Sequence, residues 1–254
     1  MAYLFFPVRL LFTLYALALF MAFMFLVFPL VVILSFWGKI KGGNIIYVLC
    51  RCWADCLMPL WGIFHRNIYA LRHDTSRQYV FVFNHISYMD IPVLLSSIRR
   101  QRFRILGKAE LAKIPVFGFI YRNAVVLVDR SNPEKRAKSV LQLKSVINKG
   151  ISVVIAPEGT FNATGKPLKD FYDGAFRIAI ETQTPVKPLL LLDTYDRMSY
   201  KSIFSLTPGK SRTVFLEEVP VEGLTLNDIP ALKEKVYLLM EEQLKAYKAT
   251  WIKQ

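Results

Sequence analysis

Cysteine and histidine are scarce in this 254-residue chain, at three each. Cys50, Cys52 and Cys56 fall in one apolar segment with C-x-C-x-x-x-C spacing. An odd number gathered in one place argues against a disulfide framework. The lack of paired C-x-x-C steps argues against the common zinc module. The thiols read as small apolar packing residues of a cytosol-facing protein. No G-x-S-x-G elbow is present, which removes the usual serine-hydrolase arrangement. Acidic residues are also few, 19 against 33 Lys and Arg, for a formal net charge of +14. Such a surplus suits a polyanionic partner: nucleic acid, an anionic membrane surface or a phosphorylated substrate. The chain shows no nucleic-acid-binding motif, so nucleic acid is not expected as a partner.

Charge is missing altogether from Leu10 to Trp37, in the run LLFTLYALALFMAFMFLVFPLVVILSFW. As one helix these residues would extend for roughly 42 Å at 1.5 Å per residue, enough to cross a bilayer with tilt or to break at Pro29 and re-enter. The run is too long for a cleaved signal peptide, and no small-x-small site follows it. The next apolar segment, Ile45–Phe64, carries Arg51 and Asp55 and suits an interfacial amphipathic helix better than a span. Residues 1–65 are therefore read as a membrane-embedded helical anchor, either a single span or a hairpin in one leaflet. The basic bias that follows places the remaining chain on the cytoplasmic side of the membrane.

From Arg66 the texture becomes globular. Asn67–Leu71, Gln78–Phe83, Arg102–Leu106, Ala124–Val128, Ile151–Ala156, Val186–Leu192 and Arg212–Glu217 read as strands, rich in β-branched and aromatic residues. Helices are expected at Ile91–Ile98, from an N-cap at Ser131 to Lys149, at Gly174–Thr182 and at Asn227–Tyr247. The alternation predicts an α/β fold, a mixed and mostly parallel sheet covered by helices, forming one domain over residues 66–254.

Three strand ends carry residues suited to chemistry. Asn84-His85-Ile86-Ser87-Tyr88-Met89-Asp90 follows the strand YVFVF. Asp90, five residues after His85, is within reach of it through a turn. A carboxylate on one ring nitrogen sets the tautomer and leaves the other nitrogen free as a base. The bare pair also reads as a turn histidine beside an N-capping aspartate. Pro157-Glu158-Gly159-Thr160 follows ISVVIA and, alone, is a plain turn. Lys108, in Gly107-Lys108-Ala109-Glu110-Leu111, and Arg130, in Val128-Asp129-Arg130, close strands where an anion would meet them; each also reads as a solvated charge. His65 and His73 lack a matching carboxylate and read as structural or surface residues.

Together with Ile114-Pro115-Val116-Phe117-Gly118 and with Val186-Lys187-Pro188 after Pro185, these motifs occur in an order that resembles the glycerolipid acyltransferase family, specifically the bacterial 1-acyl-sn-glycerol-3-phosphate acyltransferases. The resemblance covers roughly residues 60–220 and extends to the apolar N-terminus. It implies a glycerol-3-phosphate acyltransferase-like fold and a membrane-associated O-acyltransferase. The acyl group would come from an acyl carrier protein or coenzyme A thioester and go to the free hydroxyl of a lyso-lipid. The leading acceptor is 1-acyl-sn-glycerol-3-phosphate, giving phosphatidic acid, and no cofactor is needed beyond the acyl donor. It further implies His85 as general base, Asp90 as its orienting partner, Lys108 on the acceptor phosphate, and Glu158, Gly159 and Thr160 lining the acceptor site. Pro185 and Pro188 would shape the fourth motif near the acyl side. Asn84 is a further candidate for the oxyanion, and Arg130 for the phosphate. The expected location is the bacterial cytoplasmic membrane, with the catalytic domain facing the cytoplasm. One position departs from the pattern: family members acting on glycerol phosphate carry an arginine after E-G-T that contacts the phosphate, and here Phe161 stands there. A bidentate guanidinium is replaced by an apolar ring. Lys166, Lys169, Arg177 or Arg130 would have to substitute, or else the acceptor is a lyso-amino-acid lipid, such as an ornithine or glycine lipid. A non-catalytic lipid-binding protein on the same fold is the remaining alternative.

Overall fold

The computed structural model describes residues 6–71, 73–128 and 133–253. The expected N-cap Ser131 and the candidate Arg130 lie outside the described residues. Helix α1 (Phe6–Ser35) runs unbroken through Pro29 and ends before a π-helical turn at Gly38–Gly42. Helix α2 (Gly43–Leu60) then returns along it. The two are joined by an edge-to-face contact of Phe20 on Trp53, centroids 5.2 Å apart, and by Trp61 Nε1, which donates to the Ala16 carbonyl at 3.2 Å. The two helices thus form a helical hairpin. The segment Pro7–Ser35 is a candidate membrane anchor by length and composition, and it leaves Val8, Leu11, Leu17, Phe25, Leu26 and Ile33 exposed.

Gly62, at φ +63°, stops α2 and turns the chain into β1 (Ile63–Tyr69), earlier than the predicted Asn67–Leu71. As an edge strand, β1 alternates buried Ile63 with exposed Phe64 and Arg66, so its pattern does not stand out in the sequence. The remaining strands are β2 (Val80–Phe83), β3 (Phe103–Lys108), β4 (Val126–Val128), β5 (Ser152–Ile155), β6 (Val186–Leu191) and β7 (Gly209–Phe215). They form one sheet in the order β1-β7-β6-β2-β5-β3-β4. The five strands from β6 to β4 are parallel, while β7 and β1 run the other way. The sheet is thus mixed and mostly parallel, as expected.

Helices cover both faces, which explains the near-continuous apolar strands. Val80, Val82, Val153 and Ile155 face a layer built from α5 (Pro133–Ile147), α6 (Gly174–Glu181) and α8 (Ile229–Ala246). Phe81, Phe83 and Val154 face the other side, where Leu57, Met58 and Trp61 from the anchor region share the core with Val93 and Leu94 of α3 (Asp90–Ser97). The hairpin is therefore packed into the α/β unit rather than tethered to it.

Two short helices lie beyond the predicted set: α4 (Phe117–Ala124) and α7 (Thr194–Arg197). Helix α4 follows a tight turn in which Val116 is held at φ +60°, and it occupies part of the stretch predicted to begin a strand at Ala124. Its Gly118 is pressed on the Ala112 carbonyl: a Cβ there would sit 2.4 Å from that oxygen. The I-P-x-x-G motif thus packs a short helix against the 3-10 turn Ala109–Lys113 that follows β3. Gly118→Ala is expected to destabilise the protein by about 1–3 kcal/mol through overpacking against backbone; unfolding in detergent will measure it, and unchanged stability would contradict the packing role.

Candidate active site

Parallel strands present their C-terminal ends along one edge, and that edge is where α/β folds place chemistry. Here β2 lies between β6 and β5, so the segments leaving these three strands are neighbours. Asn84, the first residue after β2, is buried, and its amide grips β6: Nδ2 donates to the Leu191 carbonyl at 3.1 Å while Oδ1 accepts the Leu191 N–H at 2.8 Å. With both ends of the amide engaged, Asn84 is placed as a staple between strands rather than as a group facing an open site.

His85 follows. Its Nδ1 lies 2.8 Å from Asp90 Oδ2. The same oxygen accepts the N–H groups of Ile86 at 2.8 Å and Ser87 at 2.9 Å. Asp90 opens α3 and is fully buried, whereas the His85 side chain is 21% exposed. An unpaired buried carboxylate would be costly; here three N–H donors converge on Oδ2, while Oδ1 is buried with no hydrogen-bond partner among the described residues. A carboxylate acceptor at Nδ1 requires the proton there, so the neutral ring offers the lone pair of Nε2. Nε2 makes no hydrogen bond to any described residue.

Glu158, in the loop after β5, is the second buried carboxylate. One oxygen accepts the His85 backbone N–H and the other the Lys169 backbone N–H, both at 2.8 Å. Burial pushes its pKa from 4.5 up to about 8; the two N–H donors act against burial, and the Asp90 charge adds to it. Gly159 sits at φ +72°, a conformation natural to glycine, and lets the chain reverse immediately after the carboxylate. Thr160 is exposed, and its hydroxyl accepts from Lys169 Nζ at 2.9 Å. Phe161 then lays its ring on His85, centroids 4.4 Å apart, and is flanked by Tyr88 at 5.0 Å and Tyr200 at 6.3 Å. Lys108 is exposed at the end of β3, two strands from β2 along the same edge.

The structure thus gathers Asn84, His85, Asp90, Glu158, Gly159 and Thr160 into one group, with Lys108 along the edge. The fourth motif is elsewhere. Val186-Lys187-Pro188 begins β6, at the opposite edge of the sheet, where Lys187 is buried with its ammonium 5.9 Å from the Tyr79 ring centre. Pro188 lies where the ladder to β7 is interrupted: Leu189 pairs with Phe215 but Val186 with Val219, so one strand carries an extra residue. Such a bulge accommodates a residue that has no N–H. His65 is engaged by Ser211, Asn67 and Ser97, and His73 by Gln101. Among the described residues no group of three His, Cys, Asp or Glu side chains is placed to hold a metal ion.

Contacts remote in sequence were missed. Ser87 Oγ donates to the Met198 carbonyl at 2.5 Å, fastening the histidine loop to the segment after α7. Arg212 and Asp193 form a bidentate pair at 2.8 and 2.7 Å that joins the end of β6 to β7. Nothing in the local sequence around these residues signals such pairings.

With this geometry in view, the comparisons with known proteins are direct. The Acyltransferase family model matches residues 63–191, half of the chain, and the chain belongs to that family. A protein of Caenorhabditis elegans named as a putative 1-acyl-sn-glycerol-3-phosphate acyltransferase is 28% identical over 84% of this chain and 73% of its own length. The 1-acyl-sn-glycerol-3-phosphate acyltransferase of Haemophilus influenzae is 26% identical over 81% of this chain and 84% of its own. The crystal structure of the lysophosphatidic acid acyltransferase PlsC of Thermotoga maritima superposes with a TM-score of 0.76 at 23% identity, covering 96% of this chain and 98% of that one, and shows that the fold is shared.

Burial of Glu158 has a pH consequence. Because its folded-state pKa is raised, the protonated form favours folding; that contribution is complete below about pH 4.5 and is lost as pH rises through about 8. Relative to Glu158→Gln, which does not titrate, the wild-type midpoint of thermal unfolding should fall across this window. A constant difference between the two proteins would contradict the assignment.

Proposed function

We propose that the chain transfers a fatty acyl group from a thioester to the free hydroxyl of 1-acyl-sn-glycerol-3-phosphate, giving phosphatidic acid. The observation that carries this reading is the histidine whose Nδ1 is held by a buried carboxylate while Nε2 has no hydrogen-bond partner among the described residues. That arrangement suits a substrate that brings its own hydroxyl. His85 Nε2 takes the hydroxyl proton as the oxygen attacks the thioester carbonyl; the tetrahedral intermediate collapses, and the proton passes to the departing thiolate. Asp90 stabilises the imidazolium formed between these steps. Glu158 fixes the main chain under His85, so the ring is aimed by two carboxylates through different atoms. The donor is an acyl carrier protein or coenzyme A thioester, in keeping with the basic surface of the chain.

Access from a membrane is supported by what surrounds the site. Arg9, near the start of α1, donates to the Ser205 carbonyl at 3.0 Å, and Ser199 of the same segment bridges to Ser87 in the histidine loop. Exposed Ile203, Phe204 and Tyr88 lie on these segments. An apolar rim thus links the anchor to the base, and a lyso-lipid would enter sideways from the bilayer. This reading places the catalytic unit on the cytoplasmic face of a bacterial cytoplasmic membrane.

A second reading has one observation in its favour. Phe161 covers His85 with an apolar ring, which suits a lyso-lipid without a phosphate, such as a lyso-ornithine or lyso-glycine lipid. Purified protein in detergent, offered each acceptor with either thioester, decides between them. Lyso-phosphatidic acid should be acylated fastest, and His85→Ala should lower that rate by about 10²–10⁴-fold with the fold intact. Full turnover by His85→Ala would overturn the mechanism; turnover of only the phosphate-free acceptors would establish the second reading.

A further inference from the structure

We infer that Lys169 binds the phosphate of the acceptor and thereby sets the preference for an anionic lyso-lipid; the inference rests on the lyso-phosphatidic acid reading above. The phosphorus of a glycerol 3-phosphate is three covalent bonds from the carbon that bears the reacting hydroxyl. A cation that recognises it must therefore stand within a side chain's reach of His85. The Phe161 ring lies tilted against that of His85, centroids 4.4 Å apart, so the charge comes from another direction.

Lys169 meets this requirement through the main chain. The two oxygens of Glu158 hold the backbone N–H groups of His85 and Lys169, which sets the two residues one carboxylate apart. The Lys169 side chain turns back along the E-G-T loop, where Nζ donates to Thr160 Oγ1 at 2.9 Å. An ammonium has three donors, and this bond engages one. Of the other cations in this part of the chain, Lys144 and Arg177 pair with Glu181, and Lys233 with Asp173. Among the described residues Lys169 forms no ion pair. Its ammonium is therefore a positive charge held at the E-G-T loop, on the residue that precedes Phe161. Thr160, already aligned by the same ammonium, is a second donor once its hydroxyl rotates toward the phosphate.

The test is steady-state kinetics of the full-length protein in detergent, with lyso-phosphatidic acid and the acyl thioester varied separately. Lys169→Met keeps the stem and removes the charge; it should raise KM for lyso-phosphatidic acid by about tenfold or more, as expected for losing a charge-assisted hydrogen bond, while KM for the thioester moves less than about twofold. Lys169→Arg should bring KM for the acceptor back to within about threefold of wild type, because it restores the charge. Lys169→Ala gives a second neutral variant, and thermal unfolding of each identifies any that fails to fold. An unchanged KM for lyso-phosphatidic acid in a folded neutral variant overturns the assignment. So does a rise in KM for the thioester alone, which would place Lys169 on the donor, or a fall in kcat shared by Lys169→Arg, which would make it structural. Wild-type protein that leaves lyso-phosphatidic acid unacylated overturns the acceptor reading and this inference together, before any variant is compared.

Discussion

The buried carboxylate of Asp90 is the constraint on which the site is built. A charge with no exposed surface is tolerated only when donors converge on it. Here one oxygen collects His85 Nδ1 and the N–H groups of Ile86 and Ser87. Satisfying that oxygen therefore folds the segment after β2 back onto the first turn of α3. It also orients the imidazole and decides which of its nitrogens carries the proton. Conformation, orientation and tautomer follow from the same three hydrogen bonds.

Glu158 extends the constraint to the neighbouring strand. Its two oxygens join the loops that leave β2 and β5, and its burial beside Asp90 is opposed by two backbone donors. Asn84 and the Arg212–Asp193 pair carry the tie on to β6 and β7. This edge is thus a set of strand ends cross-linked by polar side chains: Asp90 Oδ2, both Glu158 oxygens, the Asn84 amide and the Arg212–Asp193 pair are engaged, while Asp90 Oδ1 is buried without a hydrogen-bond partner among the described residues.

How much of this could be read in advance depended on distance along the chain. β2, β5 and β6 were legible because a strand covered on both faces must be apolar throughout. His85 and Asp90 were legible because they are five residues apart. The edge strand β1 was displaced because Gly62, not a change in polarity, ends α2. β7 began earlier than its apolar part suggested: Ser211 and Thr213 are buried, yet bonded to His65 and Ser97, so polar residues sit in the interior at no great cost. Helix α4 is hidden because it begins two residues after Pro115 and carries Gly118, a poor helix former that serves packing. Lys187 belonged to a recognisable motif but lies at the opposite edge of the sheet, because the motif begins β6, opposite a bulge in the segment that follows β7. Contacts such as Asn84 with Leu191, 107 residues apart, leave no local trace. Phe161 stood out in the sequence as a departure, and in the structure its ring lies tilted against that of His85, centroids 4.4 Å apart.

The central claim is that Asp90 keeps the proton of neutral His85 on Nδ1 and leaves Nε2 free to act as the base. Selective ¹⁵N labelling of histidine is well suited to this chain, which has only three, and His85→Gln assigns the signal of interest. At a pH where the ring is neutral, the account predicts a protonated Nδ1 and an unprotonated Nε2 for His85, with the preference lost in Asp90→Asn. An Nε2-protonated tautomer in the wild-type protein, or one indifferent to Asp90→Asn, would contradict it.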